Sequence, residues 1–186
     1  MRTGSVERAM EGDHAAFSEL VDLEGDSCFA IAVGILRDVE LAQDAVQQTF
    51  LLAWRDLPKL RDPDRFRAWL RRLLVHACYE EARRYRRWSA RIRVLSADGP
   101  DVPTQRDQTI RVVDRDALEQ AFARLSPEHR AVVVLHHQVG LGLAEVAEIV
   151  GAPVGTVKSR LHHATHRLRA ALRTAEVVSA SEELPA

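Results

Sequence analysis

Cysteine is scarce in this chain of 186 residues, and the two that occur, Cys28 and Cys78, stand far apart. Neither belongs to a CxxC pair or to another spacing of metal ligands, which argues against zinc sites and disulfide frameworks. Scarce, unpaired cysteines are typical of proteins of the reducing cytosol. Both lie in apolar runs, so we expect buried, inert thiols in a cytoplasmic protein.

The sequence also lacks an apolar run long enough to span a bilayer and the pattern of a secretory signal peptide, so we expect no membrane insertion.

Four of the eight histidines form two adjacent pairs, His136–His137 and His162–His163, but adjacent residues of a helix do not share a face. Without an HExxH motif, a nucleophile–base set or a phosphate-binding loop, the sequence predicts no metal, no cofactor and no catalytic activity.

The net charge is only −1, yet the charges are separated into blocks along the chain. Residues 57–93 carry one Lys, eleven Arg and four acidic residues, and residues 151–173 carry five cations and no acid. The segments before, between and after these blocks are net acidic. Two basic blocks that alternate with acidic segments predict two anion-binding surfaces, which favours a nucleic-acid-binding protein.

Apolar residues recur at helical spacing along nearly the whole chain, and no segment alternates as a strand does. We predict an all-α fold of two small helical modules, residues 1–95 and 111–173, joined by a polar, proline-containing flexible linker at 96–110. A disordered tail is predicted at 174–186. The predicted helices are Val6–Met10, His14–Leu23, Phe29–Leu36, Val39–Arg55, Phe66 to about Arg87, Arg111–Leu125, His129–Val139, Leu143–Val150 and one from about Gly155.

The segment Leu143–Leu168 has the pattern of a helix-turn-helix. Gly151 suits the left-handed position after the first helix, and Pro153 favours an extended residue before it. The apolar face of the second helix consists of Val157, Leu161, Ala164 and Leu168. The opposite face carries donors and cations that suit phosphates and base edges. The candidate DNA contacts in this helix are Thr156, Lys158, Ser159, Arg160, His163 and Arg167.

A second candidate DNA surface lies on the helix that begins at Phe66. A cationic stripe lies opposite its apolar face, which includes Trp69 and Ala77, and Tyr85 and Trp88 stand among the arginines. Aromatic rings among cations suit stacking on unpaired bases and contact with phosphates. A solvated helix with arginine stems lying along its surface explains the pattern equally well. The stripe consists of Arg72, His76, Tyr79, Arg83 and Arg87.

Four motifs, in order and on both sides of the linker, resemble the extracytoplasmic-function (ECF) sigma factors, the compact members of the bacterial sigma-70 family. Residues 12–20 resemble the family's GD..AF..L opening, and AQDAVQQTFLLAW at 42–54 is similar to the family's AEDLVQETFLRAW. The basic helix at 66–84 and the segment 125–172, which contains GTVKSRL, match two further family patterns.

The resemblance implies a sigma factor that binds core RNA polymerase and directs promoter-specific initiation, with an anti-sigma factor as a further partner. It implies that the first module docks on the coiled coil of the largest subunit through Asp44, Gln47, Gln48, Leu51 and Arg55. It implies that −10 DNA is recognised and melted by Arg65, Arg72, His76, Tyr79, Glu80, Arg83, Arg84 and Arg87. The second module is expected to contact the polymerase flap and to insert its helix, with the candidate contacts above, into the −35 major groove.

A stand-alone helix-turn-helix regulator that binds duplex DNA as a dimer is the alternative. It explains Leu143–Leu168 equally well, but it leaves the motif at 42–54 and the block from Trp69 to Arg84 unexplained. An enzyme is the third class, because His76 with Glu80 or Glu81 offers an acid–base pair. Neighbouring His and Glu residues on a basic helix are, however, usually surface residues.

Overall fold

The described parts of the chain are helical, in the order that the apolar spacing predicts. This computed structural model describes the backbone of residues 2–95 and 113–182 and the side chains of residues 4–92 and 117–174. The predicted all-α fold is confirmed, and the predicted linker at 96–110 lies outside the described residues. The helices are α1 (Arg2–Met10), α2 (His14–Leu36), α3 (Val39–Asp56), α4 (Phe66–Leu95), α5 (Val113–Ala123), α6 (Pro127–Val133), α7 (Leu143–Val150) and α8 (Val154–Glu182).

α2 is a single helix, although the sequence predicts two segments, His14–Leu23 and Phe29–Leu36. The residues between them stay helical because Glu24 and Cys28 are buried in the first module. The Glu24 carboxylate accepts a hydrogen bond of 2.6 Å from Nε of Arg67 on α4. A carboxylate taken out of water needs such a partner, and the ion pair therefore ties α2 to α4.

α3 buries a face of small residues, which lets α2 and α4 approach it closely. Thr49 is the one polar member of this face. Its hydroxyl donates a hydrogen bond of 2.6 Å to the Ala45 carbonyl, so this buried donor has a partner in the core. The predicted helix at Val39–Arg55 is confirmed with one more residue at its end. The buried face consists of Ala42, Ala45, Thr49 and Ala53.

α4 follows two 3₁₀ turns, Leu57–Lys59 and Pro63–Arg65, and crosses both α2 and α3. Its core face includes Leu70, Leu74 and Cys78, each at most 1% exposed. The helix continues to its end at Leu95, beyond the predicted end near residue 87, because residues 88–95 contain neither glycine nor proline to stop it.

In the second module, α6 begins as predicted. Ser126 is the N-cap, its hydroxyl oxygen accepts a hydrogen bond of 3.4 Å from the His129 backbone N–H, and Pro127 is the first helical residue. The last turns of the predicted His129–Val139 helix are wider than α-helical, because residues Val134–Gln138 form a π-helical turn.

α8 continues to Glu182, so most of the tail predicted to be disordered from Thr174 is helical. This prediction is wrong up to Glu182, because the segment contains no glycine or proline and extends a helix that is already formed. The Thr174 hydroxyl donates to the Ala170 carbonyl at 3.0 Å, as a threonine within a helix does. Residues 183–186 lie outside the described residues.

The two modules pack against each other. α2 of the first module contacts α6 and the π-helical turn of the second module, and α4 contacts α6 and α7. Buried residues from both modules form one continuous apolar cluster. Within residues 2–95 and 113–182, no helix combines the length and the apolar character that crossing a bilayer requires.

Replacing the N-cap of α6 tests this account of where the second module's helices begin. We expect Ser126→Ala to lower the free energy of unfolding by about 1 kcal/mol, because the His129 N–H loses its side-chain acceptor and the hydroxyl's 2.8 Å hydrogen bond with His129 Nδ1 is lost. The exposed Ser159, in the same module, provides a matched control. Ser159→Ala should change the free energy by less than about 0.5 kcal/mol in urea titrations. Equal losses in both variants would contradict the role of the cap.

Candidate DNA and polymerase interfaces

The turn between α7 and α8 has the geometry that its sequence predicts. Gly151 has a φ of 66° and donates its N–H to the Ala147 carbonyl, which ends α7 in the left-handed conformation that glycine adopts easily. The Pro153 carbonyl accepts the N–H of Val157 at 3.1 Å, so α8 begins at Val154, one residue before its predicted start. This turn fixes the direction of α8 relative to α7.

The predicted apolar face of α8 is confirmed. Val157 and Ala164 are fully buried, and Leu161 and Leu168 are partly buried. α8 packs against α5, α6 and α7 through the inner side of the helix. The helix therefore presents its other side, with its donors and cations, away from the core of the second module.

The predicted −35 contacts occupy this outer face to different degrees. The side chains of Thr156 and Arg160 are half-buried. The His163 ring centroid lies 5.1 Å from that of His129 on α6. Burial lowers the pKa of His129, and the neighbouring His163 and Arg160 lower it further. The remaining predicted contacts are exposed: Lys158, Ser159, His163 and Arg167.

Most of the predicted −10 contacts are exposed on α4 and on the turn before it. Arg83 Nη1 lies 2.6 Å from Glu80 Oε1, one helical turn away. Arg84 Nη2 lies 2.7 Å from Glu81 Oε2 and 3.6 Å from Oδ2 of Asp44 on α3. These pairs hold two arginines close to the helix surface. The exposed predicted contacts are Arg65, Arg72, His76, Glu80, Arg83, Arg84 and Arg87.

Tyr79 is the exception, because it is only 9% exposed and its hydroxyl has no hydrogen-bond partner. The prediction that Tyr79 lies on the exposed stripe is wrong in this arrangement. Burial raises the pKa of its phenol, and the charges that act on it include Arg160 and Glu128 of the second module. The second module thus covers the edge of the stripe, which the periodicity of α4 alone could not indicate.

The predicted polymerase contacts form an exposed face of α3, opposite the buried small residues. Leu51 is 60% exposed, more than any other large apolar side chain that the structure describes. Arg55 pairs with Asp56 at 2.7 Å, and hydrogen bonds from Arg55 and Lys59 lower the pKa of Asp56 to about 2. The exposed predicted contacts are Asp44, Gln47, Gln48, Leu51 and Arg55.

Comparison with known proteins assigns this chain to one family. The family model described as Sigma-70 region 2 matches residues 20–88, and the model described as Sigma-70, region 4 matches residues 115–168. The chain is 35% identical over 173 residues to the ECF RNA polymerase sigma factor SigL of Mycobacterium tuberculosis, covering 90% of this chain and 95% of that protein. This chain belongs to the ECF sigma factors of the sigma-70 family. It is also 26% identical over 177 residues to SigW of Bacillus subtilis, with 90% and 95% coverage.

Solved structures of other sigma factors resemble this one. CnrH in complex with the cytosolic domain of CnrY has a TM-score of 0.64 and 27% identity, covering 93% of this chain and 97% of that chain. The sigma factor RpoE in complex with the anti-sigma factor NepR from Bartonella quintana has a TM-score of 0.64 and 26% identity, covering 84% and 96%.

The protein is therefore a sigma factor that directs promoter-specific transcription initiation by RNA polymerase. Sigma factors are non-catalytic subunits of RNA polymerase. The stand-alone regulator considered from the sequence does not account for the match to region 2.

Sequence reasoning missed Arg130, a residue of this sigma factor that is 8% exposed. The residue lies in the apolar run HRAVVVL, where a lone arginine was the available signal. Its Nε donates to the Ile35 carbonyl at 2.5 Å, and its Nη1 donates to the Ala123 carbonyl at 3.0 Å. Arg130 thus connects the second module to α2 of the first.

The two cysteines of the sigma factor provide a direct test of its core. Cys28 and Cys78 are at most 2% exposed, and burial raises the pKa of both thiols to about 12. Because the thiolate is the reactive form, we expect both to react with Ellman's reagent at pH 8 at least about a hundredfold more slowly than after unfolding in guanidinium. The exposed Ser18 gives a control, since Ser18→Cys should react at once in the folded protein. Fast native reaction of the parent would contradict the packing of α2 on α4.

Proposed function

We propose that the first module docks on the coiled coil of the largest subunit of core polymerase through the exposed face of α3. Leu51, 60% exposed between glutamines, is the observation that carries this proposal. A large apolar side chain in water stabilises a complex when a partner covers it, by about 1.5–3 kcal/mol for full burial. The opposite face of α3 is already packed in the core, so the exposed face is available to a partner.

The second module, in this proposal, contacts the polymerase flap and reads the −35 duplex with α8. The major groove admits one α-helix, and α8 offers a face with lysine, arginine, serine and histidine donors and no acidic residue before Glu176. Arg160 is the central candidate because Thr156, His163 and Arg167 stand four, three and seven residues from it and therefore share its face of the helix. The cations supply affinity through phosphates, and the donors supply contacts to base edges.

The −10 element is recognised, in this proposal, by the exposed side of α4 and the turn before it, which hold the strand after it opens. Arginines contact the phosphates, and rings stack on unpaired bases at about 1–3 kcal/mol per base, which offsets part of the cost of unpairing. Tyr85 and Trp88 lie with ring centroids 6.0 Å apart, and Trp88 is 58% exposed. These rings extend the stripe toward the end of α4.

We also propose an anti-sigma protein as a partner of this chain. The support comes from two solved relatives, one in complex with the anti-sigma factor NepR and the other with the cytosolic domain of CnrY. A chain that assembles with polymerase works where transcription takes place, so we expect a cytoplasmic location.

The docking proposal predicts a selective loss of polymerase affinity. The parent chain should co-elute with core RNA polymerase on a sizing column in a 1:1 complex. We expect Leu51→Ala to weaken this binding by about tenfold or more, because the covered side chain contributes at least about 1.4 kcal/mol. Leu23→Ala is the matched control, since Leu23 is an exposed leucine of α2 (46%) outside the proposed face. Equal affinities of both variants would remove α3 from the interface.

The −35 proposal predicts that Arg160→Ala weakens DNA binding and leaves polymerase binding intact. On promoter fragments selected from genomic DNA by the parent holoenzyme, we expect a loss of about 1–3 kcal/mol, or roughly 5-fold to 100-fold. Arg169→Ala is the control, because position 169 lies about 180° around α8 from position 160. Loss of polymerase affinity in Arg160→Ala would show that the second module has been assigned the wrong role.

A further inference from the structure

Two histidine rings meet where α6 packs on α8. His129 lies in the first turn of α6 and is half-buried, whereas His163 is exposed on the outer face of α8. Their ring centroids lie 5.1 Å apart, and the ring planes are inclined by 52°. Aromatic rings prefer offset or tilted arrangements at centroid distances of about 4.5–7 Å, so the two rings are in favourable contact. Both helices belong to the second module, and the contact lies within it.

The His129 ring is itself fixed by the N-cap of α6. Nδ1 of His129 lies 2.8 Å from the hydroxyl oxygen of Ser126, and the same oxygen accepts the backbone N–H of His129 at 3.4 Å. One hydroxyl thus binds both the backbone and the ring of His129, which restricts the orientation of the ring relative to α6. A ring fixed in this way can serve as a platform for a neighbouring side chain.

His163 lies among the side chains proposed to read the −35 duplex. It stands three residues after Arg160 and four before Arg167, so the three share one face of α8. A neutral imidazole has one N–H donor and one acceptor nitrogen, and the orientation of the ring decides which base-edge group each nitrogen meets. An exposed side chain loses its rotational freedom when it binds. Contact with a fixed ring removes part of that freedom before DNA arrives.

The charges around the pair favour an uncharged His129. Burial lowers the pKa of His129, and His163 and Arg160 on α8 lower it further. Arg167 acts in the same direction and Glu128 in the opposite one. A charged platform would repel the cations of α8, whereas an uncharged imidazole can stay in contact with His163. The electrostatics and the geometry therefore agree on His129 as a support for the neighbouring ring.

We propose that His129 is a positioning residue for promoter recognition, which holds the ring of His163 in the orientation that reads a −35 base. His163 is the specificity-determining residue that meets the base edge, and His129 acts through it without touching DNA. The inference rests on the proposed −35 role of α8, because an oriented ring matters only if α8 enters the groove. Removal of a positioning residue lowers base discrimination and leaves polymerase binding unchanged.

Two complementary substitutions at His129 separate the ring from its hydrogen bond. His129→Phe keeps an aromatic ring against His163 and loses the nitrogen that binds Ser126. His129→Gln keeps hydrogen-bonding groups and loses the ring. Gln also has the higher helix propensity, so a purely structural role of His129 predicts that His129→Gln is the less impaired variant. The positioning role predicts the opposite order.

Base discrimination by the holoenzyme is the measurement. Holoenzyme assembled from core polymerase and the full chain is titrated with promoter fragments that the parent holoenzyme selects from genomic DNA, and with the same fragments after replacement of each −35 base. We expect His163→Ala to lower discrimination by about fivefold or more at one or two −35 positions, as the loss of a base contact does. His129→Gln should lower it at the same positions by about threefold, and His129→Phe by less than about twofold.

A double-mutant cycle shows whether His129 acts through His163. In the His163→Ala background, His129→Gln should cause no further loss of discrimination, because the supported ring is absent. His137→Gln is the matched control, since it makes the same change at an exposed histidine of the π-helical turn. It should leave discrimination unchanged, and urea titrations establish that every variant is folded.

Three results would each overturn the positioning role while leaving −35 reading by α8 intact. They are unchanged discrimination in His129→Gln, a greater loss in His129→Phe than in His129→Gln, and losses that multiply in the double variant. Failure of the proposed function has a different signature, because Arg160→Ala and His163→Ala would then leave discrimination unchanged at every −35 position. In that case His129 would have no reader to orient, and the inference would fail together with the proposed function.

Discussion

The requirement that α4 serve three surroundings at once governs the structure. One side of this helix, with Leu70, Leu74 and Cys78, belongs to the core of the first module. Another side lies under the second module, and the third carries exposed arginines. At 3.6 residues per turn, each side receives about one residue per turn. The cationic stripe is therefore narrow. Around the axis of α4, Tyr79 lies at the boundary between the buried Ala82 and the exposed positions of the stripe.

The same constraint determines what kind of contact can join the modules. A broad apolar interface on α4 would consume the positions that carry the arginines. The structure combines a continuous apolar cluster with one guanidinium buried against helix-end carbonyls, where the partial charge compensates part of the lost hydration. Such a contact is specific, because two helix ends must meet at Arg130. The largely exposed pairs at its edges, Arg37–Glu119 and Arg65–Glu148, add little energy.

Much of the fold could be predicted because its signals are local. The Ser126 cap, the left-handed Gly151 and the small buried face of α3 each depend on residues within a few positions of one another. The burial of Tyr79 and the role of Arg130 could not be predicted in the same way. Both depend on contact between segments far apart in the chain, and periodicity describes only the inner face of a helix within its own module. The end of α8 differs from the prediction for another reason, because a polar segment that contains no helix breaker extends a helix that is already formed.

The charge pattern acquires a physical meaning once the fold is known. The acidic segment at residues 1–56 and the basic block at 57–93 belong to the same module, so their fields largely cancel beyond about 10 Å at 0.1 M salt. A free chain with a net charge of −1 therefore feels little long-range attraction to duplex DNA, which binds basic surfaces through counterion release irrespective of sequence. In the proposed function, the arginines of α4 and α8 therefore act only at short range, where geometry matters.

Polymerase would hold the two modules at fixed positions and would so combine two weak DNA-binding surfaces into one bivalent site. The DNA affinity of such a site grows with the effective concentration of the second surface, once the first surface is bound. In the proposed function, selective promoter binding therefore depends on combining two individually weak surfaces on polymerase.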